Sequence, residues 1–382
     1  DFDKPEIVHP RKNIGFAAIG QQTLKRFVHL SGVNERRWGM NRTRNALLII
    51  GTVFTVASCE LPVDSGRWTV MSWNVQNLFD GEDDGNEYPE FDPSGASWDV
   101  RLYERRLERT GEVIKSCVDA GPDLIVLQEL EKPEVLTALA NGPLNRSDYR
   151  YLLAVPGYGT IRCGLMSRYP LMEVRVVDCG IWWNRPLRPL VAVTVLTPLG
   201  PVRIIACHWK SPRDGREATE EARRREAAAA LELIREFRRH HTDIPVMIIG
   251  DLNTPGDGEV VPSALAPWDP HDGASEIETV LYRTPFTDGV GTGSWEDSVF
   301  FDPEPSVGPS GTYWFRSRWD RPDRALLSGG FIDGKGLEFS SCRTAAVSVM
   351  GDSEGHPDRW ISDFEEGYSD HFPLVLEFYN VD

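Results

Sequence analysis

The 382-residue chain has no run of about 18 apolar residues, the length that an ordinary membrane-spanning helix needs. It has no Cys-x-x-Cys pair and no grouping of cysteine with histidine, which argues against structural zinc. Its six cysteines stand far apart, at 59, 117, 163, 179, 207 and 342, so no disulfide pairing can be read from their spacing. Positive charge is also scarce: 41 Lys and Arg face 58 Asp and Glu, for a net charge of −17. Such a field repels polyanions at long range, and it provides no broad surface for nonspecific duplex binding. A phosphate-bearing substrate must therefore be met by a local basic site or a divalent metal. Core-forming residues are plentiful, with 41% hydrophobic content including 12 Trp, 16 Phe and 10 Tyr, as in a globular protein.

From Met40 the order is a basic stretch with Arg42 and Arg44, the apolar run "ALLIIGTVFTVA", and "VASC" ending at Cys59. That is the layout of an export signal with a small-residue cleavage site. A cysteine at the cleavage point resembles a bacterial lipoprotein box, which implies a signal at 40–58, lipidation of Cys59 and a short tether at 59–66. Residues 1–39 are then expected to be an upstream extension absent from the mature protein. The extension carries +3 and the signal +2, leaving −22 for the rest. The resemblance implies an exported protein of the bacterial cell envelope, held to the membrane through Cys59. With Cys59 lipidated, five cysteines remain, and an odd number leaves at least one unpaired.

After residue 66 the pattern is that of one α/β domain over 67–382, without repeats or an internal linker. "RWTVMSWNVQNLFD" reads as a strand ending at Asn74, followed by the acidic loop "GEDDGNEYPEFDPSG". The loop lacks calcium-loop ligand spacing and is expected to be merely solvated. Helical spacing over 98–120 stops at Gly121-Pro122. "DLIVLQELE" is a strand ending in carboxylates, and a short helix is expected near 133–141. Short strands fill 149–208, with Thr197-Pro-Leu-Gly200 as a hairpin turn. Residues 217–240, rich in Ala, Glu, Arg and Leu, predict a long helix. It leads into "VMIIGDLNTP", a buried strand whose Asp251 and Asn253 should share one face at the C-terminal edge. A loop-rich region follows at 256–308, and "HFPLVLEFY" closes the domain as a strand.

The polar residues at strand ends form a set: Asn74, Glu129, His208, Asp251, Asn253, Asp323, Asp370 and His371. An Asn or Asp after a strand usually caps a turn, and a lone His is usually structural. Together they carry more weight, because each follows an apolar run that should be buried.

The segments "MSWNVQNL", "DLIVLQELE", "IACHWKS", "IIGDLNTP", "RWDRPDRALLS" and "YSDHFPLV" occur in that order across nearly all of 67–379. In this the chain resembles the endonuclease/exonuclease/phosphatase superfamily. That superfamily includes pancreatic-type deoxyribonuclease, abasic-site endonucleases, inositol polyphosphate 5-phosphatases and bacterial sphingomyelinases. The resemblance implies a four-layer α-β-β-α sandwich of two mixed sheets, with the site at one rim. It further implies that Glu129 is the principal ligand of Mg²⁺ (or Mn²⁺ or Ca²⁺), with Asn74 and Asp370 close to the metal. Asp251 and Asn253 match the pair that positions the attacking water and the phosphoryl oxygens. His371 matches the catalytic histidine, Asp323 the carboxylate that orients it, and His208 the second histidine of the deoxyribonuclease branch.

Phosphodiester hydrolysis needs a cation at the nonbridging oxygens, an activated in-line water and help for the leaving alkoxide, so this inventory suits it. Lys210, two residues after His208, and Arg188 are the expected phosphate-binding residues, with Arg185 a weaker candidate. "CHWKS" and the absence of Tyr-Arg after "GDLN" favour an exported nuclease acting on DNA or RNA, monomeric, over an inositol 5-phosphatase. "WDRPDRALL" faintly resembles a segment of those phosphatases, which keeps open a phosphomonoesterase or a phospholipid-headgroup phosphodiesterase. A binding lipoprotein that has lost catalysis is the alternative of a different class.

Overall fold

A computed structural model of the protein describes residues 7–8, 66–95, 97–154, 159–254, 281–282 and 300–381. Pro10–Val63 form a unit of their own. That unit, with the expected signal and Cys59, and nearly all of 255–299 lie outside the described residues.

The strands in chain order are β1 (Ile7–Val8), β2 (Arg67–Leu78), β3 (Leu124–Leu130), β4 (Tyr151–Ala154), β5 (Arg162–Ser167), β6 (Leu171–Val177), β7 (Ile181–Trp182), β8 (Arg185–Pro186) and β9 (Leu190–Thr197). There follow β10 (Gly200–His208), β11 (Val246–Asp251), β12 (Leu281–Tyr282), β13 (Phe300–Phe301), β14 (Tyr313–Phe315), β15 (Arg318–Asp320), β16 (Asp323–Ser328), β17 (Gly336–Thr344) and β18 (Leu374–Val381). The helices are α1 (Val100–Cys117), α2 (Pro133–Asn141), α3 (Glu220–Arg238) and the single turn α4 (Val347–Met350). One seven-stranded sheet has the order β1-β4-β5-β3-β2-β18-β17, and a second has the order β12-β13-β16-β11-β10-β9-β6. Both are mixed: β2 and β3 are parallel, as are β10 and β11, while their outer neighbours run antiparallel.

Side-chain alternation sorts these strands into layers. Val70, Leu124, Val126 and Leu376 of the first sheet join Val193, Ile204, Met247 and Ala325 of the second in one core between the sheets. The opposite face of the first sheet, through Met71, Trp73, Ile125 and Leu127, packs on Leu107, Val113 and Ile114 of α1 and Leu136 and Leu139 of α2. The opposite face of the second, through Ala192, Ile205, Cys207 and Ile248, packs on Ala227, Leu231 and Ile234 of α3. Helices thus cover both outer faces, which gives the expected α-β-β-α sandwich. Asp99 caps α1 by accepting the Leu102 N–H at 2.8 Å, and Pro133 opens α2. The hairpin at Thr197–Gly200 joins β9 to β10 as expected.

The same alternation aims the site. The inward parity of Val70, Ser72 and Asn74 on β2, of Ile204, Ala206 and His208 on β10, and of Met247, Ile249 and Asp251 on β11 points Asn74, His208 and Asp251 into the end of the intersheet layer. Gly250 answers a packing demand. It lies opposite Cys207 at φ +144, and a Cβ there would stand 1.9 Å from the Cys207 carbonyl oxygen. No other residue fits that crossing.

Helix α3 braces this end from outside. Glu226, fully buried, accepts the Lys210 N–H at 2.8 Å, and the Arg223 guanidinium donates to the Lys210 carbonyl at 3.2 Å. Burial pushes the Glu226 carboxyl up to about 8, against the opposing pull of the Lys210 amide, Arg188 and Arg223. A folded-state value above the unfolded one means that the folded chain holds an extra proton between roughly pH 4.5 and 8. Stability from this group is therefore full in mild acid and is lost as pH rises through the folded value. Glu226→Gln keeps the carbonyl that receives the Lys210 N–H. It is expected to leave thermal stability near pH 5 nearly unchanged and to raise it at pH 8.5 by on the order of 1–3 kcal/mol, read by thermal melts across the two pH values.

Candidate active site

The two sheets meet at Asn74. Its Nδ2 donates to Glu129 Oε1 at 3.1 Å within the first sheet and to Asp251 Oδ2 at 3.0 Å across to the second. The side-chain oxygen of Asn74, Oδ1, accepts the Gln76 N–H at 3.0 Å. Asn74 thus presents its amide nitrogen to the carboxylates and ties them together.

Two departures from regular strand geometry set the first-sheet side. β2 does not end at Asn74 as the sequence suggested: it continues to Leu78 through left-handed Gln76 and Asn77, with a register shift against β3. By simple alternation Glu129 would follow Leu127 onto the helix-covered face. Its φ of +68 and the register shift between Leu127 and Leu130 turn it instead to Asn74 and to the Asn77 N–H, which donates to Oε2 at 2.9 Å. Bulges re-aim side chains in this way.

On the second sheet Asp251 pairs directly opposite Asp323. Asp323 Oδ2 lies 2.7 Å from His371 Nδ1 and accepts the Thr312 hydroxyl at 2.5 Å. His371 is held by its neighbours: its N–H donates to Ser369 Oγ, its carbonyl accepts from Trp73 Nε1 at 2.8 Å, and the Tyr313 ring lies 4.7 Å away. Asn253 does not share a strand face with Asp251. The strand ends at Asp251 and Asn253 sits at φ +49, its N–H donating to Asp251 Oδ1 and its side-chain amide to the Trp209 carbonyl. His208 Nε2 lies 3.8 Å from Glu129 Oε1 and 3.7 Å from Asp251 Oδ2.

The two histidines are driven apart electrostatically. Burial opposes a charge on His371, but the Asp323 carboxylate outweighs it by charge and hydrogen bond, with Asp370 and Asp251 adding, so His371 is raised. Burial and the charges of Arg188, His371 and Arg213 hold His208 well below the usual imidazole range. Burial raises both Glu129 and Asp251, with Asp370 adding at the first and Asp323 at the second. Such divergence marks the proton-carrying and neutral members of a site.

Asp370 is half-buried, with its N–H donating to Gln76 Oε1, and its charge is felt at Glu129. Arg188 belongs to the site: it donates to the Trp209 carbonyl at 3.1 Å and its charge reaches Glu129 and His208. Lys210 is corrected. β10 stops at His208, so the same-face rule no longer applies, and the Lys210 ammonium turns to Asp214 at 2.7 Å and over the Trp182 ring. Arg185 is exposed on β8. Sequence reasoning missed Arg213, whose charge reaches His208, Tyr88 and Tyr313, and it missed Thr312, Ser369 and Tyr313. Ser369 lies within "YSDHFPLV" but had no role assigned there, and the others gain theirs only from neighbours brought by the fold.

A divalent cation fits here on the chemistry of the donors. Ligand-type atoms of Asp251, Asp323 and His371 lie within 4.8 Å of one another. His371 is engaged with Asp323, however, so it serves as a proton holder rather than a ligand. Glu129 and Asp251, which share an amide and face a neutral imidazole, have no cationic hydrogen-bond partner among the described residues. Asp323 Oδ1 is also buried without a partner. Hard oxygen donors with unbalanced charge suit Mg²⁺, Mn²⁺ or Ca²⁺. The acidic loop is different: Asp84, Glu87 and Glu131 approach one another, but Lys132 Nζ already sits 2.6 Å from Asp84 and 2.7 Å from Asp80.

Residues 71–371 match the model of the Endonuclease/Exonuclease/phosphatase family. A comparison with curated proteins returned no match. Among solved structures, an endonuclease/exonuclease/phosphatase from Bacteroides vulgatus is 14% identical, covering 82% of this chain and 99% of its own, at a TM-score of 0.51. A family protein from Bacteroides thetaiotaomicron is 13% identical over 82% of this chain and 95% of its own, at 0.50. A humanized D. rerio TDP2 is 14% identical over 83% and 100%, also at 0.50. At these identities the likeness extends to the fold.

The electrostatic pattern predicts that imidazole NMR finds His371 still protonated at pH 7 and His208 neutral at pH values where an ordinary imidazole is charged. Asp323→Asn removes the largest charge holding the His371 proton, so its titration should move to or below the ordinary value near 6.5. An unmoved His371 would contradict the assignment.

Proposed function

The chain belongs to the endonuclease/exonuclease/phosphatase family, and from that premise we propose that it is a metal-dependent phosphodiesterase that cleaves nucleic acid by in-line attack of water. The observation that carries this reading is the Asn74 amide joining Glu129 and Asp251 across two sheets, 3.1 and 3.0 Å away, beside the His371–Asp323 pair. A divalent cation held by Glu129, with Asp370 nearby, would neutralise nonbridging phosphate oxygens and the developing charge.

The chain's own groups supply the rest. With Nδ1 committed to Asp323, His371 has Nε2 left to donate to a phosphoryl oxygen and stabilise the charge that grows there. Asp251, raised by burial and by Asp323, is suited to accept the proton of the attacking water. Asn253 keeps one amide hydrogen beyond its bond to Trp209, with which it can hold a substrate oxygen without adding negative charge. Neutral His208 lies against both carboxylates and can bond an oxygen between them. Arg188 and Arg213 supply the local positive charge that a chain of −17 otherwise lacks.

Nucleic acid is favoured as substrate because "GDLN" runs on to Thr-Pro rather than the Tyr-Arg of inositol 5-phosphatases. Export and lipid anchoring at Cys59 belong to the same proposal, on the sequence of 40–59.

Hydrolysis of plasmid DNA, RNA, bis-p-nitrophenyl phosphate, a phosphoinositide and sphingomyelin, with Mg²⁺ and with EDTA, tests the reading. Metal-dependent cleavage of nucleic acid is expected, falling by at least roughly a hundredfold in His371→Ala and in Glu129→Ala. Hydrolysis confined to the lipid headgroups would transfer the site to the other branch, and equal rates in EDTA would refute the metal.

A further inference from the structure

The turn between β7 and β8 carries a feature that catalysis leaves unexplained. Trp182 pairs with Arg185 across a two-residue turn, and both turn residues are left-handed, Trp183 at φ +45 and Asn184 at φ +58. Asn accepts that conformation readily, whereas a bulky residue there is an outlier that neither turn chemistry nor burial accounts for. The Trp183 ring is 69% exposed. It stacks on Trp182 at 4.5 Å and 8° between planes, and the buried Trp182 ring in turn takes the Lys210 ammonium 5.2 Å from its centroid. One face of a fixed indole is therefore presented to solvent, anchored from behind.

This turn is tied to the site. Arg188 follows β8 closely, bonds the Trp209 carbonyl and acts on Glu129 and His208. No more than about 10 Å of extended chain separates it from Arg185. A second hairpin repeats the design beside His371. Between β14 and β15, Arg316 and Ser317 are left-handed, Phe315 is 48% exposed, and the Arg316 guanidinium lies 5.0 Å over its ring. Its root, Tyr313, packs on His371.

We propose that the exposed Trp183 face, seconded by Phe315, stacks unpaired bases of a single-stranded nucleic acid whose backbone enters the site. The proposal deepens the phosphodiesterase reading and rests on it for the substrate class. Exposed aromatic rings with an arginine close by in the chain, Trp183 with Arg185 and Phe315 with Arg316, match what a single strand offers: base faces that a duplex hides, alternating with phosphates. A bilayer is the rival occupant, since Ile181 is also exposed. Against it, Asn184 shares the first tip with Trp183 and Arg185 follows it, while Arg316 and Ser317 form the second tip, where a hairpin that inserts in a bilayer would be apolar throughout.

The test uses the full chain in EDTA, so that binding is read without hydrolysis, by fluorescence anisotropy of a short oligothymidylate and an abasic strand of equal length. The oligothymidylate should bind about tenfold more tightly than the abasic strand. Trp183→Ala should abolish that difference, Trp183→Phe should retain most of it, and Phe315→Ala should reduce it. Equal affinity for the two strands, or a difference that survives Trp183→Ala, overturns the proposal. So does binding to phosphatidylglycerol vesicles that Trp183→Ala abolishes, with no binding to the oligonucleotide. Base-dependent binding with no cleavage of nucleic acid once Mg²⁺ is restored would uphold the stacking and sink the nuclease reading.

Discussion

Asp251 and Asp323 face each other across adjacent antiparallel strands, both buried, and the protonated ring of His371 makes that tolerable. Like charges directly opposite on a sheet destabilise it, and unpaired buried carboxylates cost more. Losing one member of such a buried set typically costs about 3–5 kcal/mol. Much of the surrounding structure serves to hold His371 in place. Trp73 grips its carbonyl, Ser369 its amide, Thr312 the same Asp323 oxygen that His371 meets, and Tyr313 the ring face. With Asp323 on the second sheet, Trp73 on the first and Tyr313 on the β14–β15 hairpin, the dyad acts as a fastener for the sandwich at that end.

The intersheet core and the site share one periodicity. The alternation that buries Ile204 and Ala206 also delivers His208, and the alternation that buries Met247 and Ile249 delivers Asp251. The apolar layer ends where the polar one begins, so the site inherits the rigidity of packed strands and the low dielectric of the core. That low dielectric raises Glu129 and Asp251 and depresses His208. A polar cluster built on surface loops would show smaller shifts.

Much of this was legible in the sequence. The apolar runs located β2, β3, β10, β11 and β18, the composition of 217–240 located α3, and six motifs in order pointed to the family and its two-sheet architecture. What escaped were features that depend on the partner strand. Glu129 faces Asn74 through a left-handed residue and a register shift, which a strand read alone cannot reveal. Asn253 and Lys210 were assigned by i, i+2 alternation, which fails because both strands end before the second residue. Gly250 had a recognisable position in its motif, but its reason, a carbonyl of β10 where a Cβ would be, is a contact between strands.

The acidity of the chain and the polyanionic substrate proposed for it are reconciled by range. A field of −17 acts over a Debye length, about 8 Å at physiological salt, and beyond that solvent screens it. Inside the site the relevant charges are Arg188, Arg213 and the His371 imidazolium, each felt by neighbours in a desolvated environment. Long-range repulsion slows encounter more than it weakens a bound complex, because affinity is set at contact. A protein of this charge is therefore better suited to short unpaired segments engaged at a few positions than to long duplexes gripped along their backbones. That is the kind of ligand proposed for the exposed indole at Trp183–Asn184 and the arginine-tipped β14–β15 hairpin.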